Sequence, residues 1–313
     1  MSTHPFQPTA SFQGHKAAVY ALCTGSTPDS FLSGGGDGIV VQWDVDQPEK
    51  GEALVNVGEA IFSLGLLAEQ ELLLIGTGTG RLLVVDLRTR QEVQAIEAHT
   101  KGVFRICPLD ANTLACAGGD GTLSTWNLND DRAKPLTQVR RIPLCEEKLR
   151  DMVLSAAGER MVVACGDGSL RELDLPTLNE KQRFEGHTKG SNCVTFHPTK
   201  PVLISGGKDG LVKVWRADGG CLVEFAAHKG SVYATTFDPK GRYLATVGRD
   251  SLLKVWDANT LEPIHRSARE KTAHTHSINA ALWLGITLIT ASDDRNVHAW
   301  RVEDPTEKVS PNS

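Results

Sequence analysis

Four residue types recur in this chain at fixed spacing, and together they could hold or transfer protons. His15, Ser33, Asp37 and Trp43 are separated by 18, 4 and 6 positions. The same intervals separate two further sets: His187, Ser205, Asp209 and Trp215, and then His228, Thr246, Asp250 and Trp256. A histidine, a hydroxyl and a carboxylate are the parts of a hydrolase triad, so catalysis is the first chemistry to test.

Repetition argues against a catalytic role for these sets. A fourth set has the same order of residue types, with a loop two residues shorter: His274, Thr290, Asp294 and Trp300. A hydrolase uses one such constellation together with a nucleophile elbow or an oxyanion donor arrangement, and neither accompanies these sets. We therefore interpret the sets as structural and predict no catalytic residue.

The spacing between the sets defines a repeat. The Trp position falls at Trp43, Val85, Trp126, Leu173, Trp215, Trp256 and Trp300, at intervals of 42, 41, 47, 42, 41 and 44. Each unit contains short apolar, β-rich runs that are punctuated by tight turns, such as the Asp-Gly pairs at 37–38 and 209–210. Runs of this kind at regular spacing indicate an all-β repeat fold.

The pairs that open and close the units are Gly14-His15, Trp43-Asp44, Gly186-His187 and Trp256-Asp257. On these residues the chain resembles the WD-repeat β-propeller family over nearly its whole length. The resemblance implies a seven-bladed β-propeller with four-stranded antiparallel blades. It also implies a hydrogen-bonded chain inside each blade. In that chain the imidazole donates to the carboxylate and accepts from the hydroxyl, which in turn accepts from the indole N–H.

The two ends predict how the ring closes. The seventh unit lacks a fourth strand, because only two residues follow its Trp before a polar tail. Residues 9–13 match the fourth strands of other units, with Phe12 three positions before His15. We expect residues 1–303 to form one propeller domain, residues 9–13 to complete its last blade, and residues 304–313 to form a polar C-terminal tail. An eight-bladed ring or an open solenoid is the alternative.

Three units depart from the pattern. The second has Val57, Ile75, Thr79 and Val85 at the four positions, which leaves Thr79 as its one polar group. The fourth has Cys145, Val163, Asp167 and Leu173, which leaves the aspartate. The third carries Cys116 where a serine or threonine is expected.

Composition limits the classes of partner. The chain has 313 residues, a net charge of −5 and a pI near 6.1, which give no reason to expect binding to a nucleic-acid backbone. Its seven cysteines lie mostly inside apolar runs, as reduced buried thiols do. It has no basic-then-apolar start and no apolar run of membrane length. We expect a cytoplasmic protein that binds neither nucleic acid nor membrane.

Metal and cofactor sites are not expected either. The pair His274 and His276 could be half of a metal site, but His274 belongs to a repeated set and no Cys/His pair lies nearby. The glycine-rich runs 34–36 and 76–80 lie between predicted strands rather than at a helix start, so we interpret them as turns.

Functional residues are expected at the positions that vary. In the family, the residue five after each His position faces the top opening of the central channel. These residues are Tyr20, Phe62, Phe104, Arg150, Asn192, Tyr233 and Asn279. A second ring, just before each turn aspartate, contains Gly36, Gly78, Gly119, Gly166, Lys208, Arg249 and Asp293. The first three units contribute three aromatics beside glycines, and the next three contribute the cations Arg150, Lys208 and Arg249. This combination suits a peptide with an apolar anchor next to acidic groups.

The leading hypothesis is a non-enzymatic scaffold that binds other proteins or peptides on its top face. Three alternatives stay open. One is an enzyme that uses the central channel, although the identifiable inner runs are mostly apolar and supply no convergent acid or histidine set. Another is a ubiquitin-ligase substrate receptor, since Val85-Asp86-Leu87-Arg88 resembles a Trp-Asp-x-Arg docking box. The last is an obligate complex subunit that docks through the fourth unit and an insert at 130–148, which is interpreted as a solvated loop.

Overall fold

The computed structural model describes residues 6–267 and 273–302. This part of the chain forms 28 β-strands in seven four-stranded antiparallel sheets, and it contains no helix. Strand β1 (Phe6–Gln13) precedes the first complete blade. The blades, numbered in chain order, have the following strands. Blade 1 has β2 (Val19–Thr24), β3 (Ser30–Gly35), β4 (Ile39–Asp44) and β5 (Glu52–Asn56). Blade 2 has β6 (Ile61–Leu67), β7 (Leu72–Thr77), β8 (Arg81–Asp86) and β9 (Gln91–Glu97).

Blade 3 has β10 (Val103–Pro108), β11 (Thr113–Gly118), β12 (Thr122–Leu128) and β13 (Leu136–Pro143). Blade 4 has β14 (Leu149–Leu154), β15 (Arg160–Cys165), β16 (Leu170–Asp174) and β17 (Glu180–Phe184). Blade 5 has β18 (Ser191–Phe196), β19 (Val202–Gly207), β20 (Leu211–Arg216) and β21 (Cys221–Ala226). Blade 6 has β22 (Val232–Phe237), β23 (Tyr243–Gly248), β24 (Leu253–Asp257) and β25 (Pro263–Arg266). Blade 7 has β26 (Ile278–Leu284), β27 (Thr287–Ser292) and β28 (Asn296–Val302).

The first strand of each blade lines the central channel. These seven inner strands contact one another in sequence around a ring, and β26 contacts β2 to complete it. Buried apolar clusters join neighbouring blades. In one of them, the rings of Phe12 and Phe31 lie 5.0 Å apart, and Phe12 lies 5.6 Å from Trp43. Each such side chain contributes about 1.5–3 kcal/mol by leaving water, so the interfaces between blades hold the ring together.

The N-terminal strand closes the ring, as predicted. Strand β1 pairs antiparallel with β28, so the sheet order of blade 7 is β1-β28-β27-β26. The strand begins at Phe6 rather than at residue 9, because Phe6 is buried and packs edge-on against Tyr243, with ring centroids 5.4 Å apart. Closure removes the two exposed sheet edges that an open array would leave. The proposed tail at 304–313 lies outside the described residues, and the domain boundary at 303 stays a prediction.

The segment 130–148 is not the solvated loop that the sequence suggested. Its central part, residues 136–143, forms β13, the outer strand of blade 3, which pairs with β12 along its length. In the preceding turn, Arg132 reaches blade 2, where its guanidinium lies 2.9 Å from Asp86 and donates to the Gln70 carbonyl. The prediction failed because an outer strand that exposes most of its side chains resembles a polar loop when the sequence is read without its register.

Candidate functional site

The four-residue sets form the expected hydrogen-bonded chains, with blade 5 as the example. His187 Nδ1 donates to Asp209 at 3.0 Å, and His187 Nε2 accepts from the Ser205 hydroxyl at 2.8 Å. Trp215 Nε1 then donates to the same hydroxyl oxygen at 2.9 Å. The carboxylate also accepts the backbone N–H groups of residues 188 and 211, so it fixes the turn before β18 to the turn before β20.

The same contacts form in blades 1, 6 and 7. The residues joined in this way are His15, Ser33, Asp37, Trp43, His228, Thr246, Asp250, Trp256, His274, Thr290, Asp294 and Trp300. Burial raises the pKa of Asp294, but the hydrogen bond and charge of His274 outweigh it and bring the pKa to about 2. In each of these four sets the histidine and the hydroxyl residue are buried, and the hydroxyl oxygen also accepts from the indole N–H, so neither group is exposed to a substrate.

Blade 3 keeps its polar chain through a residue that sequence reasoning missed. Cys116 stands where the hydroxyl is expected, and its cross-strand partner Ser124 supplies the hydroxyl instead. His99 Nε2 lies 2.9 Å from the Ser124 oxygen, and Trp126 Nε1 donates to that oxygen at 2.9 Å. The signal was a serine two positions before the tryptophan, on the strand that pairs with the one carrying Cys116.

Blade 2 also retains a polar cluster, so the expectation that Thr79 is its one polar group was wrong. Glu59 accepts from the Thr79 hydroxyl and from Arg81 Nη1, the latter at 2.8 Å. Thr77 and Thr79 share a hydrogen bond of 3.0 Å. A carboxylate from the loop before β6 thus replaces the histidine, and an arginine neutralises its charge.

Blade 4 has no such chain. Val163 and Leu173 are fully buried and fill the space with apolar contacts. Asp167 accepts from the backbone and hydroxyl of Ser169 at 2.9 and 2.6 Å. The sulfur atoms of Cys145 and Cys165 lie beside it, where the histidine would be.

A β-bulge marks the predicted rim residue in every blade. The register between the first and second strands shifts at one position, between Val103 and Arg105 in blade 3 and at the equivalent place in the other six. A bulge re-aims the side chain of its extra residue. Here it turns all seven predicted rim residues around one pocket of about 360 Å³: Tyr20, Phe62, Phe104, Arg150, Asn192, Tyr233 and Asn279.

One half of the rim is aromatic. Phe62 and Phe104 stack with centroids 5.3 Å apart, and Tyr20 meets Phe62 edge-on at 5.5 Å. The glycines of the second ring make room for them. A Cβ atom at Gly119 would lie 2.8 Å from the Phe104 ring, and one at Gly78 would lie 3.2 Å from Phe62. Small residues before the turn aspartates therefore let the aromatic rings lie against the backbone.

A group of four cations adjoins the aromatic rings: Arg150, Lys148, Lys208 and Lys101. The Arg150 guanidinium lies 4.8 Å from the centre of the Phe104 ring, and the Lys148 ammonium lies 5.6 Å from it. Burial lowers the pKa of Lys148, and the neighbouring charges of Arg150, Lys208 and Lys101 lower it further. Arg150 Nε is buried and has no hydrogen-bond partner. In the described part of the chain, none of these four cations forms an ion pair with a carboxylate.

Three predicted rim residues form hydrogen bonds that connect or orient the inner strands. Asn192 Nδ2 donates to the Val232 carbonyl of the next blade at 2.9 Å. Asn279 Nδ2 donates to the Val19 carbonyl at 3.0 Å and to Asp293 at 2.8 Å. Asn192, Asn279 and Asp293 therefore connect or orient inner strands, and the groups left for a ligand are the aromatics and the cations.

Lys208, Arg249 and Asp293 do not line the pocket itself, since they lie on the turns between second and third strands.

The channel lined by the inner strands contains a second space of about 260 Å³ that holds an ion pair missed by sequence reasoning. Arg105 Nε lies 3.4 Å from Asp151 Oδ1, and Asp151 Oδ2 accepts the backbone N–H of Val194 at 3.0 Å. Burial raises the pKa of Asp151, and Arg105 opposes that rise. Of the described residues that line the channel, Asp151 supplies the one carboxylate, and none is a histidine. The pair links the inner strands of blades 3, 4 and 5.

Two further candidate sites were weighed from the sequence, a metal site and a docking box. His276 is exposed and hydrogen-bonded to Thr275, whereas buried His298 lies against His274, with ring centroids 4.3 Å apart and the rings tilted by 53°. His274, Asp294 and His298 could together approach a metal, but both nitrogens of His274 are occupied. In the Val85–Arg88 box, Asp86 is buried and binds both Arg88 and the arginine of the β12–β13 turn, so its carboxylate is not free for docking.

Comparisons with known proteins agree with the blade geometry. The family description "WD domain, G-beta repeat" matches four segments that make up about half of the chain: residues 6–44, 90–127, 178–216 and 219–257. The remaining blades have the same strand order and the same bulge position.

Several curated relatives are named as parts of assemblies. The chain is 25% identical over 185 residues to human THO complex subunit 6, covering 54% of this chain and 54% of that protein. It is 29% identical over 127 residues to the probable coatomer subunit beta' of Schizosaccharomyces pombe, covering 39% of this chain and 15% of that protein. A third match, 27% identical over 146 residues, is to rat telomerase protein component 1, of which it covers 5%. The chain spans about half or less of the length of these relatives. Its repeats, its seven four-stranded blades and the matched segments show that the chain belongs to the WD-repeat β-propeller family.

Proposed function

We propose that this propeller is a non-enzymatic scaffold that binds an acidic peptide segment of a partner protein at the rim pocket. One observation carries the proposal. The seven bulge residues surround a single pocket whose aromatic half adjoins a group of cations, none of which forms an ion pair with a carboxylate in the described part of the chain. An aromatic or aliphatic side chain of the partner would pack against Phe62 and Phe104, and acidic groups beside it would bind Arg150, Lys148 and Lys208.

The energetics of the free rim favour such a ligand. Cations crowded on one side repel one another, and an incoming carboxylate relieves that repulsion while pairing with a buried guanidinium. Aromatic and arginine side chains that are already half-buried lose little freedom on binding, which is why they dominate binding energy at interfaces. The pocket volume of about 360 Å³ is at the low end for a ligand site and suits one or two side chains.

The channel provides the geometric basis for the alternative class, an enzyme. Asp151 is a carboxylate with a raised pKa in a cavity, which is a feature of acid catalysts. Its oxygens, however, are bound by Arg105 and two backbone N–H groups, and the described lining offers no second acid or base. We therefore favour a role for this pair in joining blades.

The cytoplasmic location also stays a prediction. Among the described residues, no helical segment has the length and apolar character of a membrane span.

A peptide-display selection tests the proposed binding. A random-peptide library is selected against the full chain, and enriched peptides are expected to place Asp or Glu beside Phe, Trp or Leu. Phe104→Ala should weaken binding of a selected peptide by about tenfold or more, because it removes the stacking surface. Lys208→Ala should weaken it by about threefold and reduce its dependence on salt.

A lysine far from the channel provides the control. Lys181 lies exposed on β17, the outermost strand of blade 4, and Lys181→Ala removes the same charge from the protein. Its affinity for the peptide should equal that of the unmodified chain. Enrichment of basic peptides, or equal binding to the Phe104→Ala and unmodified proteins, would contradict the proposal.

A further inference from the structure

Blade 4 carries two cysteines in the space that a histidine occupies in the intact blades. Gly207 in blade 5 and Gly118 in blade 3 are the positions equivalent to Cys165. A Cβ atom at Gly207 would lie 2.3 Å from His187 Nδ1, and one at Gly118 would lie 2.1 Å from His99 Nδ1. At these two positions a side chain larger than glycine would therefore collide with the histidine, whereas in blade 7 Ser292 occupies the equivalent position beside His274. Blade 4 changes both together: Cys145 replaces the histidine, and Cys165 replaces the glycine.

The paired change places two thiols against each other. The sulfur atoms of Cys145 and Cys165 and a carboxylate oxygen of Asp167 all lie within 4.8 Å of one another. Cys165 is fully buried, whereas Cys145 is partly exposed, so an outside reagent reaches one sulfur and not the other. We propose that Cys145 and Cys165 are a thiol pair that small-molecule disulfides oxidise reversibly to an intrachain disulfide.

The surroundings favour oxidation over metal binding. Asp167, the third possible ligand, already accepts two hydrogen bonds from Ser169 and one from Arg171 Nη2 at 3.4 Å. The Arg183 guanidinium lies 3.9 Å from the same carboxylate. Two arginines beside the cluster oppose the approach of a cation, and a zinc site would need a fourth ligand. A disulfide requires only that the two sulfurs approach to about 2.05 Å by side-chain rotation.

The two sulfurs differ in reactivity, and the more exposed sulfur, that of Cys145, is the more reactive one. The hydrogen bond from Cys165 lowers the pKa of Cys145 to about 7, so a large fraction is thiolate at neutral pH. The same contact and burial raise the pKa of Cys165. Cys145 is therefore the attacking group, and Cys165 is the group that resolves the intermediate.

The reaction balances with a low-molecular-weight disulfide as the oxidant. The Cys145 thiolate attacks one sulfur of R–S–S–R, whose S–S bond breaks to release a thiolate that takes up the Cys145 proton. The Cys165 thiol then gives up its proton and attacks the Cys145 sulfur, and the mixed disulfide releases the second R–S–H. The protein loses two protons and two electrons, and the small disulfide takes them up and is reduced to two thiols.

Peptide mapping of the full chain in reduced and oxidised glutathione tests the pair. Trypsin cuts after Arg141, Lys148, Arg160 and Arg171, which puts Cys145 on peptide 142–148 and Cys165 on peptide 161–171. After free thiols are blocked, oxidised protein should yield these peptides linked, and excess reduced glutathione should separate them. Cys165→Ser should instead trap glutathione on Cys145, because the resolving thiol is absent.

Cys221 provides the matched control. It is an exposed cysteine on β21, so Cys221→Ser should leave the linked peptides unchanged. The proposal is overturned if Cys221 takes up glutathione while peptides 142–148 and 161–171 stay unlinked. It is also overturned if equimolar Zn²⁺ protects Cys145 from alkylation and a chelator reverses that protection, since the cluster would then be a metal site.

Discussion

Blades 4 and 5 are neighbours with the same strand order and the same bulge, but they hold their turns together differently. Blade 5 uses a buried chain from Asp209 to Trp215 in which every polar atom has a partner. Blade 4 fills the same space with Val163, Leu173 and two thiols. The backbone is conserved between them although the interactions are not. The difference teaches that the polar chain is one of several ways to secure a blade.

The aspartates of the two blades should differ in their contribution to stability. Asp209→Ala should cost about 2–3 kcal/mol, because it leaves a buried imidazole and two backbone N–H groups without partners. Asp167→Ala should cost about 1 kcal/mol, since the carboxylate is exposed and its removal leaves no buried imidazole without a partner. Urea unfolding of both variants measures the difference. Equal costs would mean that the chain in blade 5 adds nothing beyond an ordinary surface turn.

Blade 3 offers a sharper test, because its hydroxyl comes from a different strand. Ser124→Ala should cost about 2 kcal/mol by leaving His99 Nε2 and Trp126 Nε1 unpaired in the core. Adding Cys116→Ser should restore about half of that loss, since it returns a hydroxyl to the usual repeat position. The unfolding free energies of the two single variants and the double variant measure this coupling. Purely additive effects would contradict a shared role for residues 116 and 124.

The histidine-containing blades should make the protein sensitive to acid in a way that blade 4 does not. Burial and then the neighbouring His274 lower the pKa of His298 to about 4. Because the unfolded value is near 6.5, the stabilising effect is complete above about pH 6.5 and is lost as the pH falls toward 4. The loss should approach about 1.4 kcal/mol per pH unit within that window. His298→Leu should flatten this part of a urea-unfolding series, and an unchanged slope would show that His298 is not the cause.

Features that recur at the same position of every repeat could be predicted from the sequence. The seven rim residues could be found by counting five from each His position, because the bulge falls at the same place in every blade. Features formed between strands or blades could not be found this way. Ser124 substitutes for Cys116 through cross-strand pairing, and Arg105 meets Asp151 across two blades. Their partners are distant in the sequence and fixed by tertiary packing, which a repeat count does not contain.

The central claim is that the intact polar chains stabilise blades while the bulge residues bind a partner. The affinity of a selected acidic peptide for Phe104→Ala and for Asp209→Ala, measured where both proteins are folded, tests it most directly. Phe104→Ala should bind about tenfold more weakly, and Asp209→Ala should bind within about twofold of the unmodified chain despite its lower stability. Full affinity in Phe104→Ala, or a tenfold loss in folded Asp209→Ala, would contradict the claim.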